Sequence, residues 1–116
     1  EIRRNPPDAL AVSSEAFYLA RKAKIVQTVR KARIPAIFPY REYVADGALM
    51  SYGPDLKQIG RLMAAYVDKI LRGAKPADLP IEQMSKYDLV IDLRAAKEMG
   101  IHAPQDLLLR ADEVIK

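Results

Sequence analysis

Cysteine is absent from the 116-residue chain, and histidine occurs once, at His102. Without a thiol there is no disulfide, no cysteine nucleophile and no Cys-based zinc site. His102 stands alone, with no neighbouring ligand to share a metal ion. The hydroxyl pair Ser13-Ser14 has no histidine base nearby, which argues against a serine triad. The five glycines are scattered, mostly at caps and turns, so there is no glycine-rich phosphate loop. No run approaches 18 apolar residues, the length a membrane-crossing helix requires. The basic run Arg21, Lys22, Lys24, Arg30, Lys31, Arg33 contains no acid and no aromatic at stacking spacing. It reads as a solvated helix face, with a phosphate-binding patch as the alternative. The first residue is Glu1 rather than Met, and the charged, proline-containing opening Glu1–Asp8 is expected to lie inside a longer natural protein.

What is present is ordinary globular material. Hydrophobic residues make up 50% of the chain and charged residues 29%, enough apolar side chain for one small core. Nineteen Lys and Arg against fifteen Asp and Glu leave a net charge of +4, a modest excess that does not call for a nucleic-acid partner.

Periodicity divides the chain into alternating strands and helices. Ala9–Val12 reads as a short buried strand, preceded by the turn chemistry of Asn5-Pro6-Pro7-Asp8 and followed by a helix N-cap region at Ser13-Ser14-Glu15. Residues 16–33 carry apolar positions at helical spacing, among them Tyr18, Ile25, Val29 and Ala32. Ile34–Phe38 is the next strand, Arg41–Asp46 one helical turn, and Ala48–Tyr52 a third strand. A long helix then opens with Pro54 at its first position and Asp55 against the N-terminal dipole. Its stripe Leu56, Ile59, Met63, Tyr66, Val67, Ile70 follows a 3.6-residue period up to Gly73. After a proline-punctuated connection, Lys86–Ile91 alternates as a strand, Asp92 caps a helix over Leu93–Met99, and Gly100 ends it. A last helical turn runs from Ala103 to Leu109, and Asp112–Ile115 finishes extended or frayed.

Strands alternating with helices predict an α/β three-layer sandwich with a mainly parallel sheet. Such sheets bind ligands outside the carboxyl ends of their strands. Those ends carry Ser13, Ser14 and Glu15, then Tyr40 and Arg41, then Ser51 and Tyr52. A guanidinium there can hold a carboxylate through two parallel hydrogen bonds, and a tyrosine supplies a flat wall with a polar tip. These residues are the candidate ligand-binding set for a small polar or zwitterionic molecule. The competing reading makes the serines a helix cap, Arg41 and Glu42 a surface ion pair, and Tyr52 part of the core.

Two stretches carry a resemblance to a known family. One is Ile34-Pro-Ala-Ile-Phe-Pro-Tyr-Arg-Glu-Tyr-Val-Ala-Asp-Gly-Ala-Leu-Met-Ser-Tyr-Gly-Pro-Asp55. The other runs from Tyr66 through the connector Gly73–Pro80 to Gln83, continuing over Tyr87–Lys97 and Leu109–Ile115. They resemble ABC-transporter substrate-binding proteins related to tryptophan- and other amino-acid-binding lipoproteins. The resemblance implies a type I periplasmic binding protein fold, in which two α/β lobes joined by crossing strands close on a solute. It makes this chain a C-terminal part: residues 8–50 and 81–116 in the second lobe, and 51–80 a crossing segment with one first-lobe helix. It further implies no catalysis and no cofactor, a small-molecule solute with amino acids as the candidate class, an ABC permease as partner, and a periplasmic or lipid-anchored extracytoplasmic location for the parent protein. No nucleic-acid partner and no membrane span are expected. A first-lobe helix without its lobe leaves an apolar stripe wet, so self-association through helix 54–72 is expected. Two other classes stay open: the effector-binding domain of a transcription repressor of the same fold, and an enzyme, for which neither a nucleophile–base pair nor a phosphate loop is present.

Overall fold

The computed structural model describes residues 4–116, so the first three residues of the expected opening segment lie outside the described residues. In chain order the elements are β1 (Leu10–Ala11), α1 (Ala16–Leu19), α2 (Lys22–Lys31), β2 (Ala36–Phe38), α3 (Arg41–Ala45), β3 (Met50–Gly53) and α4 (Leu56–Leu71). A single 3₁₀ turn (Pro76–Asp78) follows, then β4 (Asp88–Asp92), α5 (Leu93–Met99), α6 (Gln105–Arg110) and β5 (Glu113–Ile115). The strands form one sheet in the order β1-β2-β3-β4-β5, parallel throughout except for the antiparallel pair β3–β4. This is the expected α/β class with a mainly parallel sheet.

The antiparallel pair has a simple origin. The chain leaves the sheet at Gly53 and re-enters it at Asp88, and these two residues are register partners. An excursion that begins and ends at the same edge must return in the opposite direction, whereas parallel pairing needs a crossover to the far edge.

Pleating sorts the side chains onto two faces. Ala36, Phe38 and Val90 meet Val26 and Val29 of α2 and Tyr43 and Val44 of α3 in the larger apolar cluster. The Phe38 and Tyr43 rings stack with centroids 4.7 Å apart. On the opposite face, Ala96 and Met99 of α5 pack on Leu49 and Met50, and Ile101 closes under them as expected. Burying an aliphatic or aromatic side chain of this kind is worth roughly 1.5–3 kcal/mol, so these two clusters hold the helices on the sheet.

Three expectations are corrected. The single helix over 16–33 is two, α1 and α2, because the Arg21 amide bonds Tyr18 and tightens the last turn of α1. The bend lets Leu19 pack on the core beside Val26 while Phe17 and Tyr18 stay outside. Second, α2 ends at Lys31, and Arg33, at φ 54°, takes the left-handed conformation that glycine usually supplies after a helix. Third, Pro54 lies outside α4; Asp55 is the N-cap, its carboxylate accepting from the Lys57 amide at 2.9 Å. Of the two outcomes expected for Asp112–Ile115, the extended one is found: residues 113–115 add a fifth strand, parallel to β4.

Helix α4 has no buried residue. Met63 is 64% exposed and Val67 55%, although both lie on its apolar stripe. The radius of gyration, 17.4 Å, exceeds the roughly 13 Å of a compact domain of this length, which fits an arm standing away from the body. No helix among the described residues is long and apolar enough to cross a membrane.

Asp92 joins the end of β4 to α5. It is buried, and its carboxylate accepts from the amides of Arg94 at 2.8 Å and Ala95 at 3.3 Å and from the Arg94 guanidinium at 2.8 Å. Burial pushes its pKa up, but the hydrogen bonds from the Arg94 side chain and the two amides outweigh burial and leave it below the ordinary carboxylate value. A folded-state pKa below the unfolded one stabilises the fold above about pH 4, and that contribution is lost as pH falls through the folded-state value. Asp92→Ala is expected to cost about 1–2 kcal/mol at pH 7. In urea titrations from pH 7 to pH 3, the Asp92→Asn variant is expected to lose less stability than the native chain. Equal acid slopes would remove Asp92 from the account.

Candidate functional site

Three consecutive parallel strands end at one edge of the sheet. Leu10 is level with Ala36 and Ile37 with Met50, so β1, β2 and β3 deliver their following residues to the same rim. The Val12 amide extends the ladder by bonding the Ile37 carbonyl at 3.1 Å. Because β4 is antiparallel and β5 follows β4, their first residues reach this rim too.

At the rim the backbones of β2 and β3 come unusually close. A methyl group placed on Gly53 would lie 1.8 Å from the Pro39 carbonyl oxygen. Only a residue without Cβ fits there, and this contact draws the Tyr40-Arg41 turn against the end of β3.

The structure brings most of the expected ligand-binding residues together. Ser13, Ser14 and Glu15 are exposed just beyond β1. The cap reading of the serines fails: Glu15 is the N-cap of α1, and no side chain caps that helix. Tyr40 is the N-cap residue of α3 and half-buried against the larger core cluster. Arg41 begins α3, half exposed, and its Nη2 donates to Glu113 of β5, a partner the sequence did not indicate; it does not pair with Glu42. Tyr52 is not in the core. It is 55% exposed, and its ring lies 5.7 Å from that of Tyr87.

Ser51 is the residue that stands apart. It is only 1% exposed and shares the inner face with its register partners Phe38 and Val90. Its hydroxyl has no hydrogen-bond partner among the described residues, and the same is true of the buried Tyr43 hydroxyl beneath α3. Burial first, and then the neighbouring Tyr40, pushes the Tyr43 hydroxyl above its ordinary pKa and keeps it neutral at physiological pH. The strand period explains the case of Ser51: neighbours along a strand point to opposite faces, so Tyr52 faces out where Ser51 faces in.

Sequence reasoning left out Lys86, Tyr87, Asp88, Asp112 and Glu113, which the returning strand β4 and its partner β5 carry to the same rim. A polar cleft of about 160 Å³ is lined there by Arg41, Lys86, Asp88, Val90, Asp112 and Glu113. Asp112 is structural: its carboxylate accepts from the Leu89 amide at 2.8 Å while its own amide donates to the Leu89 carbonyl. The available signal was the alternation of Tyr87, Leu89 and Ile91, which sets Asp88 on the other face, but the direction of β4 is not encoded locally. No group of metal-ligating side chains is found among the described residues.

Comparison with known proteins places this rim in context. Residues 5–115 match the family model described as ABC transporter substrate binding protein. The chain is 33% identical, over 75 residues, to an uncharacterized protein of Rickettsia prowazekii, a match covering 65% of this chain and 25% of that protein. A solved conserved domain protein from Vibrio cholerae is 31% identical, with a TM-score of 0.86 over 92% of this chain and 36% of its own. A Streptococcus pneumoniae ABC domain, solved in complex with L-Trp, is 27% identical, with a TM-score of 0.87 over 98% of this chain and 40% of its own. The chain thus spans a quarter to two fifths of the length of these relatives.

The Gly53 contact generates a direct test. Gly53→Ala is expected to force β2 and β3 apart at the rim and cost about 1–3 kcal/mol, the usual penalty for overpacking. Chemical denaturation would measure it. A Gly60→Ala control, at a position in α4 where added volume meets nothing, is expected to show no loss. Equal stability of Gly53→Ala and the native chain would show that the close approach is relaxed in solution.

Proposed function

The chain belongs to the ABC transporter substrate-binding protein family, and from that premise we propose that it forms part of a solute receptor that captures a small polar ligand, of the amino-acid class, for an ABC import system. The observation that carries this reading is the convergence of Ser13, Ser14, Glu15, Tyr40, Arg41 and Tyr52 on the single rim where β1, β2 and β3 end. Hydroxyls, a guanidinium and an aromatic face suit a zwitterionic solute, and the carboxyl rim is where sheets of this kind bind ligands. The relative solved with L-Trp supports the amino-acid class.

In this reading residues 8–50 and 81–116 are one lobe, and residues 51–80 cross toward a second and supply it with α4. The exposed stripe of α4 supports that division, since it is an apolar face that the body of this chain does not cover. Binding and release, driven by closure of two lobes, are then the whole activity, with a permease as the receiving partner and an extracytoplasmic location for the parent protein. Ser51 is buried beneath the rim, so this reading leaves it out of the exposed contact set.

Two measurements test this. A thermal-shift screen of the full-length protein against amino acids, sugars and small carboxylates is expected to show a rise for one class. Ligand at 100 times Kd adds about 2.7 kcal/mol by mass action. A rise with nucleic acid alone would overturn the reading. The 116-residue chain by itself is expected to run as a dimer or larger species in light scattering, joined through α4, and to become monomeric in Met63→Glu/Val67→Glu. A monodisperse native monomer would refute the assignment of α4 as an interface helix.

A further inference from the structure

The charged cleft beside Arg41 has a chemistry that the family assignment does not supply. Two cations and three acids converge there from three elements: Arg41 from α3, Lys86 and Asp88 from the start of β4, and Asp112 and Glu113 at the start of β5. Asp112 is committed to the Leu89 amide. The remaining charges are only partly satisfied. Arg41 gives one terminal nitrogen, Nη2, to Glu113, and its Nε and Nη1 have no partner among the described residues. Lys86 Nζ stands 3.3 Å from Asp88 Oδ1, yet that oxygen is buried and accepts no hydrogen bond. Behind the cleft, Val90 is the register partner of Ser51, whose buried hydroxyl is also unpartnered.

A buried acceptor such as this Asp88 oxygen ordinarily has a partner, because an unmet one costs the full penalty of its desolvation, whereas the half-exposed Arg41 guanidinium keeps donors free to meet a ligand from solvent. The cleft offers spare guanidinium donors on one side and a buried, unbonded carboxylate oxygen on the other. At about 160 Å³ it is smaller than the 300–1,000 Å³ of pockets that enclose a whole ligand, so it takes a head group while the rest of the molecule extends along the rim. Tyr52 and Tyr87, paired and half exposed, stand at that rim on the other face of the sheet.

We propose that this cleft recognises the zwitterionic head of an α-amino acid, with Arg41 taking the carboxylate and Asp88 the ammonium. Glu113 is then a positioning residue that holds the guanidinium, and Lys86 is the counter-ion that the ligand's ammonium displaces from Asp88. The inference rests on the solute-receptor reading and assigns it a polar subsite.

The test is an NMR titration of the isotopically labelled 116-residue chain with L-tryptophan and then the other common α-amino acids, to millimolar concentration. The amino acid that binds is compared with its decarboxylated amine and its deaminated acid, which are tryptamine and indole-3-propionate in the case of L-tryptophan. The expected result is shifts at Arg41, Asp88 and Glu113, with each analogue binding at least tenfold more weakly than the parent. Asp88→Asn is expected to bring the amino acid down to the level of the deaminated acid, and Arg41→Gln to that of the amine. Should either variant fail to fold, the analogue comparison on the native chain decides. Equal binding of all three compounds, or shifts confined to Ser13, Tyr40 and Tyr52, would overturn this subsite and leave the receptor reading standing. So would binding of a sugar or a dicarboxylate but of no α-amino acid. The absence of any shift with any solute would overturn this subsite, while the receptor reading is decided separately by the thermal-shift screen of the full-length protein.

Discussion

Because Leu10 lies level with Ala36 and Ile37 with Met50, the chain reaches one edge of its sheet three times in succession, always travelling the same way. Everything chemically interesting depends on that register. A slip of one residue would exchange the two faces, moving Phe38 out of the core and Tyr52 into it. The contact of Gly53 with the Pro39 carbonyl reinforces the alignment where it matters most, at the rim itself. The core beneath α2 and α3 supplies the energy, and the strand ends supply the geometry.

The excursion between Gly53 and Asp88 gives the molecule its second character. It leaves and returns at the same rim, so it reverses β4 and brings Lys86, Asp88 and Glu113 beside Arg41. It also carries α4 away from the body with an apolar stripe of which Met63, Val67 and Ile70 stay exposed. A helix with this amphipathic pattern and no buried residue is built to pack against something else. The polar rim and the unpacked helix are therefore two results of one crossing.

The charges at the rim work in pairs rather than as free groups. Arg41 and Glu113 tie the turn after β2 to the last strand, across 72 positions of sequence. Both side chains are about half exposed, so the pair contributes little to stability; its effect is to orient the guanidinium. The Asp92–Arg94 pair, at the other end of β4, is a contrasting case. There the carboxylate is buried and caps α5, and its bonds hold the connection from strand to helix.

Local pattern was enough to determine the element types, because apolar periods of two and 3.6 are written in consecutive residues. The helix over Leu93–Met99, with Asp92 at one end and Gly100 at the other, is legible residue for residue, since caps act within a single turn. So is the gathering of Ser13, Tyr40, Arg41 and Tyr52, which follows once parallel strands are inferred. What only the tertiary structure decided is whatever depends on direction and distance in space. The reversal of β4, the pairing of Arg41 with Glu113, the burial of the Ser51 hydroxyl and the isolation of α4 join residues that do not touch in sequence. No local period encodes them, because each is set by where a strand re-enters the sheet rather than by what precedes or follows it along the chain.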